Sequence, residues 1–378
     1  MGSLVDYLYW RGDLDFEQDK FNEVDNLILS ILSYNDFAGI VPGIDEVGSI
    51  SLKEAADIFV KTKDITHLEG IPFLKDIPDL LSKAGNTKRF GSLRLSRYVN
   101  QIDAEQLKQF SAVVFLLYDN MYFIAFRGTD DSLVGWKEDL QMSFMEETQS
   151  QSEAFKYANW IMSDYTGRFV LGGHSKGGNL AVYAASKNDE NLIEKIEKIY
   201  NNDGPGFHPN IIASEGYQRI IERISTYLPE SSIVGMLLDH SNECQVVSSS
   251  GTAIMQHNPF LWEVKGSSFV YKEGLTKESL NINSTIQSWI NQLSMEERAE
   301  FVESLFNVLQ ETGASSIGEL SKERLVAAHS MIKAFKNMDN TSKAHLRSTI
   351  NLLFSEGHKI LKKAITEDIS TFISKTRK

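Results

Sequence analysis

The sequence predicts an α/β fold: a mainly parallel sheet covered by helices. Three observations predict it. From about residue 106 to 275, strand-like and helix-like stretches alternate. Within that region "RFVLGGHSKGGNLAVYAA" sets one serine between two glycine pairs, after a strand-like run and before a helix-like one. Beyond about residue 276 the pattern is helical alone.

Bulk properties bound the reading. At 378 residues the chain can hold two domains, or one large domain with an appendage. Hydrophobic residues at 42% and charged residues at 24% are the balance of a soluble globular protein. A formal net charge of -13 disfavours nucleic acid and anionic membrane as partners. The single cysteine, Cys244, excludes an internal disulfide and suits a reducing compartment. The opening "MGSLVDYLYWRGDLDFEQDKF" has acids where a signal peptide needs a basic end and an apolar core. No run approaches the roughly 18 apolar residues of a membrane span. The expectation is a cytoplasmic protein with no transmembrane segment.

Residues 1–105 are expected to form an N-terminal helical extension packed on the core. There "FNEVDNLILSILSYNDF" carries Val24, Leu27, Ile28, Ile31 and Leu32 at helical spacing, which gives one apolar face. "SLKEAADIFVK" reads as a second helix, with Ser51 as N-cap and Glu54 completing a capping box. Residues 106–275 form the expected core. "AVVFLLYDNMYFIAFRG" reads as two strands, Val113–Tyr118 and Tyr122–Arg127, turning at Asp119–Asn120. A helix ending at Gly167 follows, then the strand "RFVLGG", the helix "GNLAVYAASK" and the strand "KIEKIYNND". Residues 276–378 form the expected C-terminal helical region. One helix there opens on the capping box Ser294–Glu297 and closes at Gly313. Another is expected from Ser342 to about Lys375, with Leu346, Ile350, Leu353, Phe354, Ile360 and Leu361.

Gly173-His174-Ser175-Lys176-Gly177 fits G-x-S-x-G in the context that pattern requires, strand before and helix after. The serine must sit on a sharp turn so that its Oγ projects above the sheet. Gly173 and Gly177 remove Cβ atoms that would collide across the turn, and Gly172 and Gly178 admit neighbouring backbone. The helix N-terminus that follows favours developing negative charge. A glycine-rich strand-to-helix turn without chemistry is the alternative.

The stretch "YFIAFRGTDDSLVGWKEDL" adds Arg127, Gly128, Thr129, Trp136 and Asp139 ahead of the elbow. In that order these parts resemble the class 3 lipases of the α/β-hydrolase fold, over roughly residues 106–262. Lys176 departs from the lipase pattern, which often has an apolar residue there; the departure bears on pocket polarity. The whole chain resembles a bacterial lipase-like group, the Mbeg1-like family. The residues that carry this are "DYLYWRGDLDFEQDKFNEVDNLILS", "GGHSKGGNLA" and "YNNDGPGF". The resemblance implies an α/β-hydrolase fold and hydrolase chemistry, and names no substrate.

An acyl-transfer serine needs a base, an orienting acid and an oxyanion hole, and in this fold the chain order is serine, acid, histidine. His329, His345 and His358 fall in the helical tail, and His208 follows the strand end too closely. Of His240 and His257, the second is favoured. It lies in "IMQHNPFLW", where lipases of the resembled type place their base ahead of aromatic residues such as Phe260 and Trp262. For the acid, Asp203 ends "KIEKIYNND" at the sheet edge where ligands bind. Class 3 lipases place theirs one strand later, which leaves Glu230 or Asp239 open. Asp203 as an Asx-turn residue of the Asp-Gly-Pro-Gly bend is the competing reading. Oxyanion donors are expected at the backbone N–H of Lys176 and at Thr129, whose hydroxyl offers a third bond. Arg127 is expected to pair with an acid such as Asp139.

No C-x-x-C, H-E-x-x-H or P-loop pattern occurs, so neither a metal nor a nucleotide cofactor is implied. The basic end "GHKILKKAITEDISTFISKTRK" reads as a solvated helix face, with contact to a membrane surface or protein partner as the alternative. The leading expectation is a serine hydrolase acting on a small-molecule or lipid ester through Ser175, Asp203 and His257. Amide and thioester substrates stay open. The alternative is a hydrolase-fold scaffold that binds a protein or lipid partner without turnover.

Overall fold

The computed structural model describes residues 2–65, 73–130, 132–241 and 243–314, together with 316, 333, 340–344 and 347–351. Eight strands form one sheet, and their order across it is their order along the chain. They are β1 (Ile50–Ser51), β2 (Arg94–Asp103), β3 (Lys108–Tyr118), β4 (Met121–Phe126), β5 (Arg168–His174), β6 (Ile196–Asn202), β7 (Ile224–Pro229) and β8 (Gln245–Val247). Strands β1 to β4 pair antiparallel, and β4 to β8 pair parallel. Asp119 and Asn120 turn the β3–β4 hairpin with φ of 42° and 57°, the left-handed conformation a two-residue hairpin turn demands.

Among the described residues the N-terminal part carries the helices α1 (Leu4–Arg11), α2 (Glu23–Leu32), α3 (Leu52–Thr62), α4 (Ile77–Gly85) and the single turn α5 (Lys88–Gly91). The connections between the later strands carry α6 (Leu133–Gln141), α7 (Gln149–Asp164), α8 (Lys176–Lys187), α9 (Glu190–Ile193), α10 (Pro209–Ile212) and α11 (Glu215–Ile220). When successive parallel strands are neighbours, right-handed crossovers return on one side of the sheet. Accordingly α7, α8 and α11 share a core with Val114, Ile124, Phe126, Leu171 and Ile199 on that side. The opposite face would be bare without the N-terminal helices. They cover it: residues of α1 to α4 pack with Val113, Phe115, Phe123, Ala125, Val170, Tyr200 and Tyr227.

Two features depart from expectation. The N-terminal extension supplies strands as well as helices, since β1 and β2 extend the sheet beyond β3. Helix α2 is buried all round, from Val24 to Leu32, and not on one face alone. Its polar residues find partners inside. Asp25 accepts from Tyr7 Oη (2.7 Å) and pairs with Arg89 (2.5 Å), and Asn26 donates to Asn202 (2.9 Å).

A small hairpin, β9 (Val264–Lys265) with β10 (Ser268–Phe269), closes against the start of the chain. Gly2 and Val264 exchange backbone bonds of 3.0 and 2.7 Å, and Glu23 Oε1 accepts from Phe269 N (2.8 Å) and Tyr271 Oη (2.6 Å). Beyond it stand α12 (Lys277–Asn291) and α13 (Met295–Gln310), the latter with the expected Ser294–Glu297 capping box. Helix α13 buries Val302 and Phe306 against Leu133 of α6. Residues 340–344 and 347–351 are helical; most of the helix expected from Ser342 onward, with His329, His345 and His358, lies outside the described residues. No helix among the described residues is long and apolar enough to cross a membrane.

Candidate active site

Ser175 joins β5 to α8 with φ 58° and ψ -133°. A non-glycine residue held there stores on the order of 1–3 kcal/mol of strain. A serine at a helix N-cap ordinarily adopts an extended backbone and turns its hydroxyl onto the first helical N–H groups. Ser175 does neither, and its side chain makes no cap bond. The glycines make the turn feasible. A Cβ on Gly173 would lie 2.2 Å from the Gly177 carbonyl carbon, and one on Gly177 would lie 2.1 Å from Phe126 O. A Cβ on Gly178 would lie 2.2 Å from Asn201 Oδ1.

Asp203 follows β6 at the same edge of the sheet and is fully buried. Its Oδ2 is 2.6 Å from His257 Nδ1, and its Oδ1 accepts from Ser232 Oγ at 2.5 Å. With Nδ1–H donating to the carboxylate, His257 presents Nε2 as a base. The residues around His257 are anchored: Gln256 Oε1 accepts from Ser231 N (2.6 Å), and the buried Trp262 donates from Nε1 to Gln256 O (2.9 Å).

His174, next to the serine, holds the same loop from the elbow side. Its Nε2 donates to His257 O at 2.9 Å, and the two imidazoles lie 4.6 Å apart. Tyr34 Oη stands 3.3 Å from Nδ1, the ring nitrogen left as acceptor. Burial, and then the charge His257 would carry, hold the His174 imidazole well below its usual pKa, so it stays neutral.

On the other side of the elbow, Thr129 donates from Oγ1 to Asp139 Oδ2 at 2.6 Å. The hydroxyl expected to add a third oxyanion bond is therefore engaged with Asp139. Burial raises the Asp139 carboxyl to about 6, against the opposing pull of Lys176 and the Thr129 hydrogen bond. The Lys176 side chain does not reach solvent; it is 1% exposed and pairs with the fully buried Glu138 at 3.1 Å.

The remaining candidates make other contacts. His208 Nε2 donates to Met142 O (2.8 Å), and His240 Nε2 to Gly235 O (2.6 Å). Glu230 pairs with Lys272 at 3.5 Å, and the exposed Asp239 bridges to Phe207 through its backbone. Arg127 pairs with Asp130 (3.3 Å) and not with Asp139, whose Oδ2 accepts from Thr129. Sequence reasoning passed over His174, Ser232, Gln109 and Glu138. Only His174 carried a signal, its place inside the elbow motif.

Comparison with known proteins adds the following. No curated protein matches the chain. A solved structure similar to part of it is that of M37 lipase, at 16% identity over 56% of this chain and 68% of that one, with a TM-score of 0.34. The Mbeg1-like family model matches residues 84–307, from the end of α4 through most of α13, a range that holds Ser175, Asp203 and His257, and the chain belongs to the Mbeg1-like family.

Proposed function

We propose that this chain is a cytoplasmic serine hydrolase that cleaves an ester. The observation that carries the reading is the 2.6 Å contact between His257 Nδ1 and the buried carboxylate of Asp203, beside a serine on a strained turn. Ser175, Asp203 and His257 also follow one another in the chain order that acyl transfer uses in this fold, which supports the reading.

In the proposed reaction His257 Nε2 takes the Ser175 proton as Oγ attacks the ester carbonyl. Asp203 holds the imidazole in the tautomer with Nδ1 protonated and stabilises the imidazolium that forms. The tetrahedral oxyanion accepts from the N–H groups of Lys176 and Thr129, each such donor contributing about 3 kcal/mol. His257 then gives its proton to the leaving alkoxide, and water attacks the acyl-enzyme with His257 again as base. The single cysteine, Cys244, suits a reducing compartment.

A fluorophosphonate probe tests this directly. The parent protein should carry one adduct, located at Ser175 by mass spectrometry, and Ser175→Ala should carry none. Absence of labelling in the parent, or labelling that survives Ser175→Ala, would sink the reading and favour a non-catalytic scaffold.

A further inference from the structure

Lys176 stands out on three grounds. It is a buried ammonium, it sits one residue after the proposed nucleophile, and it occupies a position where the lipase-type elbow often has an apolar side chain. Glu138 Oε2 takes one of its bonds, but that carboxylate is already served by Gln109 N (3.1 Å), Ser150 N (2.7 Å) and Ser150 Oγ (2.6 Å). The other bonds of Nζ go to Gln109, at Oε1 (2.6 Å) and at the main-chain O (3.1 Å).

Gln109 carries the contact onward. Its Nε2 donates to Gly128 O at 3.5 Å. The Gly128–Thr129 peptide is trans, so its C=O and N–H point in opposite directions. Holding the Gly128 carbonyl toward Gln109 therefore aims the Thr129 N–H the other way. A second branch reaches the same residue. Lys176 Nζ lies 3.8 Å from Asp139 Oδ1, and Asp139 Oδ2 accepts the Thr129 hydroxyl. The residue that offers the first oxyanion donor through its backbone thus holds the second through its side chain.

We propose that Lys176 is a positioning residue for the oxyanion hole, acting through Gln109 on the Gly128–Thr129 peptide and through Asp139 on Thr129. This rests on the serine-hydrolase reading above. The side chain touches no reacting atom. It sets the distance between two donors on different segments, the start of α8 and the loop after β4, which must both meet one developing oxygen.

The test uses the full chain and p-nitrophenyl butyrate. Lys176→Met alone would leave Glu138 as an unpaired buried charge, so the first variant is the double exchange K176M/E138Q. The second, Gln109→Met, cuts the relay and leaves the ion pair in place. Fluorophosphonate titration to its endpoint counts competent Ser175 sites in each sample. Per labelled site, both variants should lose about 10- to 100-fold in kcat with KM within about twofold of the parent, the pattern of an interaction made in the transition state. A loss that appears only as fewer labelled sites, with kcat per site unchanged, would show a role in folding alone and overturn the inference. Parental kcat in both variants would overturn it as well. A parent that neither labels nor turns over ends the hydrolase reading itself, and this inference with it.

Discussion

His257 Nδ1 meets Asp203 Oδ2 at 2.6 Å across 54 residues of chain. The contact gives the acids that sequence alone left open a direct test. Asp203→Asn should lower kcat by about 10³- to 10⁴-fold through the wrong imidazole tautomer, with little change in KM. Asp239→Asn should stay within about twofold of the parent. Steady-state kinetics with a p-nitrophenyl ester decide it, and the reverse outcome moves the acid to Asp239.

His174 should matter without touching substrate. His174→Phe keeps an aromatic ring against His257 but removes the donor to its carbonyl. A drop of roughly tenfold in kcat is expected, with Ser175 still labelled by the probe, because the base is held less firmly at near-attack distance. Unchanged kcat would leave His174 as core packing only.

Asp139 predicts a pH effect on stability. Its folded pKa is raised to about 6, so folding favours the protonated form. Stability from this group is present in acid and is lost as pH rises from about 4 through 6, by an amount on the order of 2–3 kcal/mol. Lys176 opposes the shift, while Glu138 and Asp130 reinforce it. Asp139→Asn abolishes the titration. Urea unfolding of both proteins between pH 4 and 8 should show the parent losing ground to the variant up to about pH 6, then a constant difference. A difference independent of pH would show that Asp139 titrates normally.

The elbow glycines make a steric prediction. Gly177→Ala places a methyl 2.1 Å from backbone oxygen, which cannot yield without moving β4 or α8. A loss of at least about 3 kcal/mol is expected, or no folded protein. Gly274→Ala meets nothing within 4 Å and should change stability by less than about 0.5 kcal/mol. Thermal melts of the pair read the contrast.

The C-terminal helices are expected to act as a cap. Helix α13 packs on α6, where Lys137 pairs with Glu303 at 2.8 Å, and just beyond α6 Arg298 donates to Ser143 O at 2.7 Å. Helix α6 also carries Asp139, and so reaches the proposed oxyanion hole. Ending the chain after residue 275 should expose Leu133 and cause aggregation, or shift the preference between short and long acyl chains. A well-behaved truncated protein with parental kinetics on both would make the tail a separate module.

What was legible in the sequence was local. The capping boxes at Ser51–Glu54 and Ser294–Glu297, the Asp119–Asn120 turn and the glycine spacing of the elbow each report on a few adjacent residues, and each forms as read. Strand β2 was not legible, because a bulge between Ser96 and Val99, with Arg97 at φ 56°, breaks the two-residue alternation that marks a strand. The all-round burial of α2 could not be read either. Asp25 and Asn26 look solvent-facing until Arg89 and Asn202 arrive from distant segments. The same holds for the supports of the site. Ser232 and Gln109 are ordinary polar residues with no pattern around them, and their roles exist only through contacts 29 and 67 positions away.

The agreement between strand order in space and in sequence has a consequence for synthesis. Each strand from β2 onward docks on the strand made just before it, so the sheet can grow as the chain leaves the ribosome, at about 5–20 residues per second. No finished pair has to reopen for a late arrival, and the contacts that seed the sheet are short-range ones, which close fastest. The segment ahead of the sheet is the exception. Gly2 and Glu23 must wait for Val264, Phe269 and Tyr271 before their bonds can form. Helices α1 and α2 are thus made before the sheet they cover, and a nascent chain whose β9–β10 hairpin has not yet emerged would hold α2 through Arg89 and Asn202 but leave this N-terminal clasp unfastened.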